Sequence, residues 1–173
     1  MTNENFQKKF NSFNWLNDSN QIESWKRGDT GFPIVDAAMR ELWQTGFMHN
    51  RMRMVVASFL VKNLLVDWRI GENWFWDCLL DADPASNIAG WQWAAGTGAD
   101  AAPYFRIFNP ILQGEKFDPD GLYTTHYIPE LKNIPIKNLQ KPWEYNCGSE
   151  YTNPIVDYKF SRQRALLAYQ DIK

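Results

Sequence analysis

The stretch that most constrains the fold is residues 48–68, which is apolar on nearly every side once past Arg53. Its apolar side chains occupy consecutive positions and leave no polar stripe at helical spacing: Met54, Val55, Val56, Ala57, Phe59, Leu60, Val61, Leu64 and Leu65. A helix that is apolar all round is a buried one. We therefore expect residues 48–68 to form a helix buried within the fold.

Local signals predict further helices on both sides of this segment. Before it, Pro33 suits a first helical position, an apolar stripe follows at helical spacing, and Gly46 suits a left-handed end. After it, we expect a turn at residues 69–71, a helix over 72–80, a short helix from Pro84 toward Trp93, and a last helix over 158–171. Strand patterns and repeats are absent from the sequence, so the predicted fold class is all-α.

The remaining segments are predicted to be long ordered loops. Residues 106–110 and 113–117 have loop composition, and residues 118–153 are a proline-rich surface wrap with short helices near 127–131. In the last helix we expect Arg162 and Arg164 to point outward, with Leu166, Leu167 and Tyr169 packing. Near the N-terminus, Phe6, Phe10, Phe13 and Trp15 interrupt a polar segment, which we expect to dock on the rest of the chain.

Composition limits the classes of function. A chain of 173 residues with 45% hydrophobic content is predicted to fold as one domain. The formal net charge of -2 gives no global attraction to a polyanion, so nucleic-acid binding would depend on a local patch. The two cysteines, Cys78 and Cys147, have neither metal-ligand spacing nor a disulfide framework, and no apolar run has membrane-spanning length. These features indicate a soluble, cytoplasmic protein without membrane contact.

Residues 90–98 set two indoles two residues apart, between an acidic loop and a glycine-rich run. Trp91 and Trp93 can do what an aliphatic side chain cannot, which is to stack on a flat heteroaromatic ring or to pass an electron. A flavin or a nucleobase is therefore the expected kind of ligand.

Two arginines lie at the start of the predicted central helix, where the helix dipole disfavours cations. Arg51 and Arg53 thus need a compensating anion, either a carboxylate of the fold or a phosphate or negatively charged cofactor. Asn50, Arg53 and Met54 lie at i, i+3 and i+4, so we expect them to face one site.

The other polar candidates favour simpler roles. Asp81 and Asp83 are more typical of helix caps, and no third or fourth oxygen ligand follows at loop spacing, so no metal site is predicted. His49 is more typical of a capping or packed residue than of a catalytic base. His126 is a still weaker candidate for a catalytic base. Hydrolytic chemistry has no support.

Several ungapped motifs in one order carry a specific resemblance. They read GFMHNRMRM at 46–54, ASFLVK at 57–62, DAD at 81–83, NIAGWQWAAGTGADAA at 87–102 and PYFRIFNP at 103–110. The chain, from about Trp15 onward, closely resembles the C-terminal, flavin-binding region of the DNA photolyase and cryptochrome family. The resemblance implies the C-terminal part of an all-helical FAD-binding domain over residues 1–173. It also implies an N-terminal α/β antenna domain and a diphosphate-binding loop, neither of which residues 1–173 contain.

Site residues follow from the resemblance position by position. Electron transfer to the flavin would run through Trp15, Trp68 and Trp91. Flavin contacts would come from Asn50, Arg53, Asp81, Ala82, Asp83, Asn87 and Trp91, with Asn87 facing flavin N5 and Arg53 pairing with Asp81. Lesion or DNA contacts would come from Asn50, Arg51, Met54, Trp93, Arg106 and Gln113.

The motifs also discriminate within the family. The pair His49 and Asn50 resembles class I cyclobutane pyrimidine dimer photolyases, whereas (6-4) photolyases and animal cryptochromes have a histidine pair. Asn87 likewise resembles photolyases, and Phe47 departs from the tryptophan common in this group.

The resemblance implies light-driven repair of pyrimidine dimers in DNA by electron transfer from reduced FAD, in the bacterial cytoplasm at the nucleoid. An antenna chromophore and the N-terminal half would belong to the region outside residues 1–173. Two alternatives stay open: a cryptochrome-like blue-light receptor, and a flavin-free remnant that acts as a helical interaction module.

Overall fold

The computed structural model describes residues 4–104, 106–145 and 150–172, and within them it is all-helical with no strand. The α-helices are α1 Ser19–Arg27, α2 Pro33–Thr45, α3 Asn50–Ser58, α4 Trp68–Cys78, α5 Pro84–Ala95, α6 Pro110–Phe117, α7 Leu122–Tyr127, α8 Ile136–Leu139 and α9 Tyr158–Gln170. A π-helix spans Phe59–Asn63, and short 3-10 helices span Lys8–Ser12, Pro129–Leu131 and Pro142–Glu144. The all-α prediction is therefore confirmed for the described residues.

Helix α2 forms as its sequence predicts and packs against four other helices. Pro33 lies at its start, and Gly46 ends it in the left-handed conformation with φ 68°. Eight of its residues are buried, and it packs against α1, α3, α6 and α7. The locally encoded start and end thus define a helix that joins α1, α3, α6 and α7.

Asp36 of α2 joins two distant parts of the chain. Its carboxylate is fully buried and accepts hydrogen bonds from Thr30 N at 2.8 Å, Thr30 Oγ1 at 2.6 Å, Gly31 N at 3.0 Å and the Tyr151 hydroxyl. The N–H of Ile155 donates to the Thr30 carbonyl at 2.9 Å. Burial raises the pKa of Asp36 to about 6, although its donors oppose the shift. One carboxyl group therefore holds the turn before α2 and the segment around Tyr151 together.

The apolar run at 48–68 is buried as predicted, but it is not one helix. α3 ends at Ser58, and the π-helix follows, with Leu64 N donating to Phe59 O at 3.0 Å. Leu65 then takes the left-handed conformation, with φ 51°, and the chain reverses. Because the reversal is itself buried, its residues are as apolar as those of a buried helix, and periodicity cannot separate the two.

Helix α4 begins at Trp68, four residues earlier than predicted. The Asp67 side chain accepts from Arg69 N at 3.0 Å and caps the helix, so residues 69–71 are helical and not a turn. The predicted helix from Pro84 is confirmed and extends to Ala95.

The structure also differs from the predictions in α6, α1 and α9. Residues 113–117 belong to α6 and not to a loop, because Asn109 caps that helix and Pro110 occupies its first turn. α1 has no counterpart among the predicted helices. In α9, Arg164 does not point outward: its Nη2 donates to Asn63 O at 2.7 Å, and Leu167 is the exposed residue instead, at 56%.

The N-terminal segment docks as expected. Phe10 and Phe13 are buried against Leu65, Tyr104 and Ala165, and the N–H of Gln7 donates to Thr97 O at 2.9 Å. The segment is thereby held between α5 and α9. Cys147 lies outside the described residues. Among the described helices, none is long and apolar enough to span a membrane.

Candidate functional site

A cavity of about 170 Å³ lies between α3, α4, α5 and the acidic loop before α5. The residues that line it are Asn50, Arg53, Met54, Ala57, Phe75, Leu79, Asp81, Ala82, Asp83, Ser86, Asn87, Gly90 and Trp91. All seven residues predicted to contact a flavin are among them. The structure therefore brings together, from three separate parts of the sequence, the set that the motifs single out.

Trp91 forms an aromatic wall of this cavity. It is only 2% exposed and packs edge-to-face on Phe75, with ring centroids 4.9 Å apart, and on Trp25 at 6.0 Å. Gly71 makes room for it, since a Cβ there would lie 2.1 Å from the nearest Trp91 ring atom. Within the described part of the chain, the buried indole Nε1 has no hydrogen-bond partner. The surrounding rings and the glycine therefore fix the orientation of the Trp91 indole.

Arg53 and Asp81 make the predicted ion pair at the mouth of the cavity. Arg53 Nη2 lies 2.8 Å from an Asp81 carboxylate oxygen and 3.1 Å from the other, while Nε donates to Met48 O at 2.7 Å. The compensating anion expected for Arg53 is thus a carboxylate. Because Asp81 is exposed, the pair contributes more to orientation than to stability. Arg51 has a different partner, since its guanidinium lies 4.8 Å from the Phe117 ring centroid.

Asp83 and His49 cap two helices at the edge of the site. The Asp83 carboxylate accepts from Ser86 N at 2.7 Å at the start of α5, and this hydrogen bond lowers the pKa of Asp83. His49 Nδ1 accepts from Arg51 N at 3.2 Å, as expected of a capping histidine. Both contacts fix the helix ends from which cavity-lining side chains project.

Asn87 is oriented by Glu72. Its Nδ2 donates to Glu72 O at 3.0 Å and to Glu72 Oε1 at 3.1 Å, across from α5 to α4. Because both bonds use the amide nitrogen, the amide oxygen is left for the cavity. Burial raises the pKa of Glu72.

Sequence reasoning did not predict Glu72, Gly71 or Phe75 as site residues, and it included Gly90 only as the first residue of the 90–98 stretch. Gly90 is the most informative of these, because nothing in the protein lies within 4 Å of a Cβ added there. A glycine in a helix with open space beside it is consistent with close approach of a ligand. The sequence signal that could have found it is the glycine immediately before the tandem indoles.

The residues predicted to contact DNA divide between two places. Asn50 and Met54 line the cavity, whereas Trp93 lines a second, more open cavity of about 720 Å³ with Ile88, Gln92 and the N-terminal residues 4–6 and 8. Arg106 is exposed on the loop before α6. Gln113 lies on α6 itself, partly buried. Trp91 and Trp93 therefore face different spaces.

Trp68 and Trp15 lie away from the cavity lining. Trp68 is fully buried, and its Nε1 donates to Asn5 Oδ1 at 2.8 Å. Trp15 is partly exposed, with its ring centroid 4.3 Å from that of Phe13. The three predicted electron-transfer tryptophans thus include two buried rings and one that reaches the surface.

The cavity suits a flat, polar heteroaromatic ligand. It has an indole wall, an amide held at a fixed orientation, an open glycine surface and an arginine anchored by a carboxylate. Its volume holds part of a dinucleotide at most, so a ligand the size of FAD would extend beyond it. Fold and site together define an all-helical domain with a flavin-type cleft.

Comparison with known proteins agrees with this class. Residues 1–171 match the family described as the FAD binding domain of DNA photolyase, and the chain belongs to that family. A deoxyribodipyrimidine photo-lyase of Agrobacterium fabrum is 55% identical over 98% of this chain and 38% of its own length. The structure of a bacterial class III photolyase from Agrobacterium tumefaciens superposes with a TM-score of 0.95 at 54% identity, over 98% of this chain and 37% of that one.

A cryptochrome is also similar. The Synechocystis cryptochrome structure superposes with a TM-score of 0.85 at 42% identity, over 94% of this chain and 35% of that one. The chain therefore spans little more than a third of the length of these relatives.

Proposed function

We propose that this chain is the flavin-binding part of a photolyase that repairs cyclobutane pyrimidine dimers in DNA under light. The observation that carries the proposal is the convergence of all seven predicted flavin contacts on one cavity. The family membership and the names of the relatives support the same conclusion.

The residues of the cavity have distinct proposed roles toward FAD. Arg53, held by Asp81, and Asn87, held by Glu72, would orient polar edges of the flavin. Gly90 would allow its flat face to approach α5, and the Trp91 wall would exclude water. When bound and reduced, FAD supplies the photoexcited electron that splits the dimer. The protein groups hold and orient, and little acid-base chemistry falls to them.

We propose that three tryptophans, Trp91, Trp68 and Trp15, connect the flavin with the protein surface. Trp91 lines the cavity, Trp68 is buried in the interior, and Trp15 is partly exposed. This order of exposure is what a path for electrons from solvent to the cavity needs. We expect Trp91→Phe to block photoreduction of bound flavin while chemically reduced enzyme still repairs DNA. Equal photoreduction rates in the variant and the wild type would contradict this path.

The DNA side is proposed to lie where Asn50, Arg51 and Met54 meet the cavity mouth, with Arg106 and Gln113 beside it. Trp93 would contribute from the second, more open cavity. Chemistry on a base inside a duplex requires that the base leave the stack. Stacking on an aromatic side chain such as Trp93 would contribute roughly 1 to 3 kcal/mol to holding it. With a net charge of -2, binding depends on these local cations and not on the whole surface.

We further propose that segments outside residues 1–173 complete the flavin site, including a diphosphate-binding loop and an N-terminal α/β antenna domain with its chromophore. The small cavity and the share of the relatives that the chain spans support this proposal. The class I assignment, drawn from His49 and Asn50, stays a prediction because one similar structure is a class III photolyase. A location at the bacterial nucleoid follows from the proposed DNA substrate.

The test is repair by the full-length gene product. Flavin-loaded, reduced protein is mixed with dimer-containing DNA, and the recovery of thymine absorbance is followed under blue light and in the dark. Recovery only in the light supports the proposal, and its absence from fully flavin-loaded protein contradicts it.

A second candidate, a cryptochrome-like light receptor, is favoured by the similarity to the Synechocystis cryptochrome. It predicts bound flavin with light-dependent spectral changes but no thymine recovery. The flavin-free interaction module predicts a folded full-length protein with no visible flavin absorbance, so one spectrum and one repair assay separate all three.

A further inference from the structure

Lys62 is a buried cation that the proposed flavin chemistry does not use. Its side chain lies in the π-helix and is 1% exposed. Within the described part of the chain, no carboxylate lies at ion-pair distance from its Nζ. Burial of an ammonium group without a counterion is costly, so a group retained in this way needs a specific reason.

The contacts of Lys62 lie on the loop between α5 and α6. Nζ donates to the backbone carbonyl of Arg106 at 3.0 Å and lies 5.4 Å from the centroid of the Tyr104 ring. A second contact from the same part of the chain reaches this loop, since Phe108 N donates to Ser58 Oγ at 3.4 Å. The end of α3 and the π-helix therefore hold the loop at two points.

The π-helix gives Lys62 its direction. The wider turn offsets residues after it relative to a continuous α-helix, and such insertions are frequent at functional sites. The residues that follow the π-helix, Leu64 and Leu65, are buried as well, and Lys62 itself is 1% exposed. The position of the Lys62 side chain is therefore fixed by the packing around it.

The loop between α5 and α6 carries and positions residues that are proposed to contact DNA. Arg106 is exposed on it, and Asn109 at its end caps α6 by accepting from Ile111 N at 3.0 Å. α6 in turn carries Gln113 and Phe117, the ring over which Arg51 lies. A shift of the loop would therefore move Arg106 and α6 together.

We propose that Lys62 is a positioning residue for the DNA-binding face: its ammonium holds the loop at Tyr104 and Arg106, so that Arg106 and α6 present a preformed surface to the phosphate backbone. This inference rests on the proposed function for its DNA partner. It assigns to Lys62 no contact with substrate or flavin.

The charged and titratable groups around Lys62 give the proposal a pH signature. Tyr104 and Arg106 face it from the loop, Arg164 of α9 bonds to the neighbouring Asn63 O, and Tyr169 of α9 stacks on Tyr104. Burial, with a smaller contribution from Arg106, lowers the pKa of Lys62 to about 8. Loss of the proton weakens both the hydrogen bond and the cation–π contact. The hold on the loop should therefore weaken as pH rises through about 8.

The experiment compares wild type, Lys62→Met and the matched control Lys132→Met, an exposed lysine, each in the full-length gene product. Methionine replaces the ammonium group with an apolar end of similar length, so the buried space stays filled, and wild-type flavin content reports that the variant is folded. Two quantities are measured: hydrogen exchange at the amides of Arg106 and Phe108, and dark binding of dimer-containing DNA between about pH 7 and 9.

For Lys62→Met at pH 7 we expect roughly tenfold faster exchange at both amides and roughly tenfold weaker DNA binding, the size of one lost charge-assisted hydrogen bond. Flavin content should stay that of the wild type. Between pH 7 and 9 the wild type should lose DNA affinity more steeply than Lys62→Met, because only the wild type carries the Lys62 ammonium that titrates in this range.

Unchanged exchange in Lys62→Met overturns the hold on the loop, and faster exchange with unchanged DNA affinity overturns the positioning role. If the wild type binds no dimer-containing DNA, the proposed function fails, while the exchange result still decides whether Lys62 anchors the loop.

Discussion

Replacement of Gly71 by alanine tests how the indole wall of the cavity is built. A Cβ at residue 71 would lie 2.1, 2.4 and 2.7 Å from three atoms of the Trp91 ring. Favourable carbon contacts are about 3.5 to 4.0 Å, so the ring or α4 must move by more than 1 Å. Trp91 is 2% exposed and packed between Phe75 and Trp25, which leaves it little room.

Two effects of opposite sign compete in Gly71→Ala. Alanine inside a helix gains about 0.5 to 1 kcal/mol over glycine. Overpacking of a filled core costs typically about 1 to 3 kcal/mol, and the contacts here are at the severe end. We therefore expect a net loss of roughly 1 to 2 kcal/mol, which in a chain of this size lowers the Tm by about 2 to 8 °C.

Gly90→Ala is the matched control, because it lies in α5 and a Cβ there meets nothing within 4 Å. The same substitution should raise stability by up to about 1 kcal/mol through helix propensity alone. Urea denaturation of both variants in flavin-free protein measures the difference. If Gly71→Ala were as stable as the wild type or more so, the account of the Trp91 wall would be refuted.

Two further predictions concern buried carboxyl groups. The pKa of Asp36 is about 6 in the fold and 3.8 unfolded, so the folded state retains a proton that the unfolded state has already released. Stability should therefore fall by about 1 to 3 kcal/mol as pH rises from about 4 to 7, and Asp36→Asn should lack this component in pH-dependent urea denaturation; parallel profiles would contradict it. Glu72→Leu removes the Oε1 acceptor from Asn87 but keeps the backbone one, so flavin affinity by equilibrium dialysis should fall about fivefold; wild-type affinity would refute the orienting role.

Elements with local start and end signals are predictable from this sequence. Pro33 and Gly46 define α2 within one residue, and helical spacing alone places Asn50, Arg53 and Met54 on one face of the cavity. The signals for α6 are equally local: Asn109 followed by Pro110 is a typical helix start. The start of α6 was not predicted because the residues around Asn109 and Pro110 have the composition of a loop.

Features that depend on contacts between distant residues are not predictable in this way. The reversal at Leu65 is as apolar as the helix before it, and no glycine marks its positive φ. Glu72 can orient Asn87 only because α5 brings the two residues together. Lys62 can hold the loop only because the chain after α5 crosses the π-helix. The seven predicted flavin contacts follow from the family resemblance, whereas their convergence on one cavity is a property of the fold.

The most direct test of the central claim is the flavin content of Gly90→Leu in the full-length gene product. The position faces open space in the protein, and leucine is a good helix former, so the fold should keep its stability. The side chain would fill the space beside α5 that the flavin is proposed to occupy. We predict wild-type urea stability in flavin-free protein together with at least tenfold loss of bound flavin. Full flavin content in a stably folded Gly90→Leu protein would contradict the claim that this cavity is the flavin site.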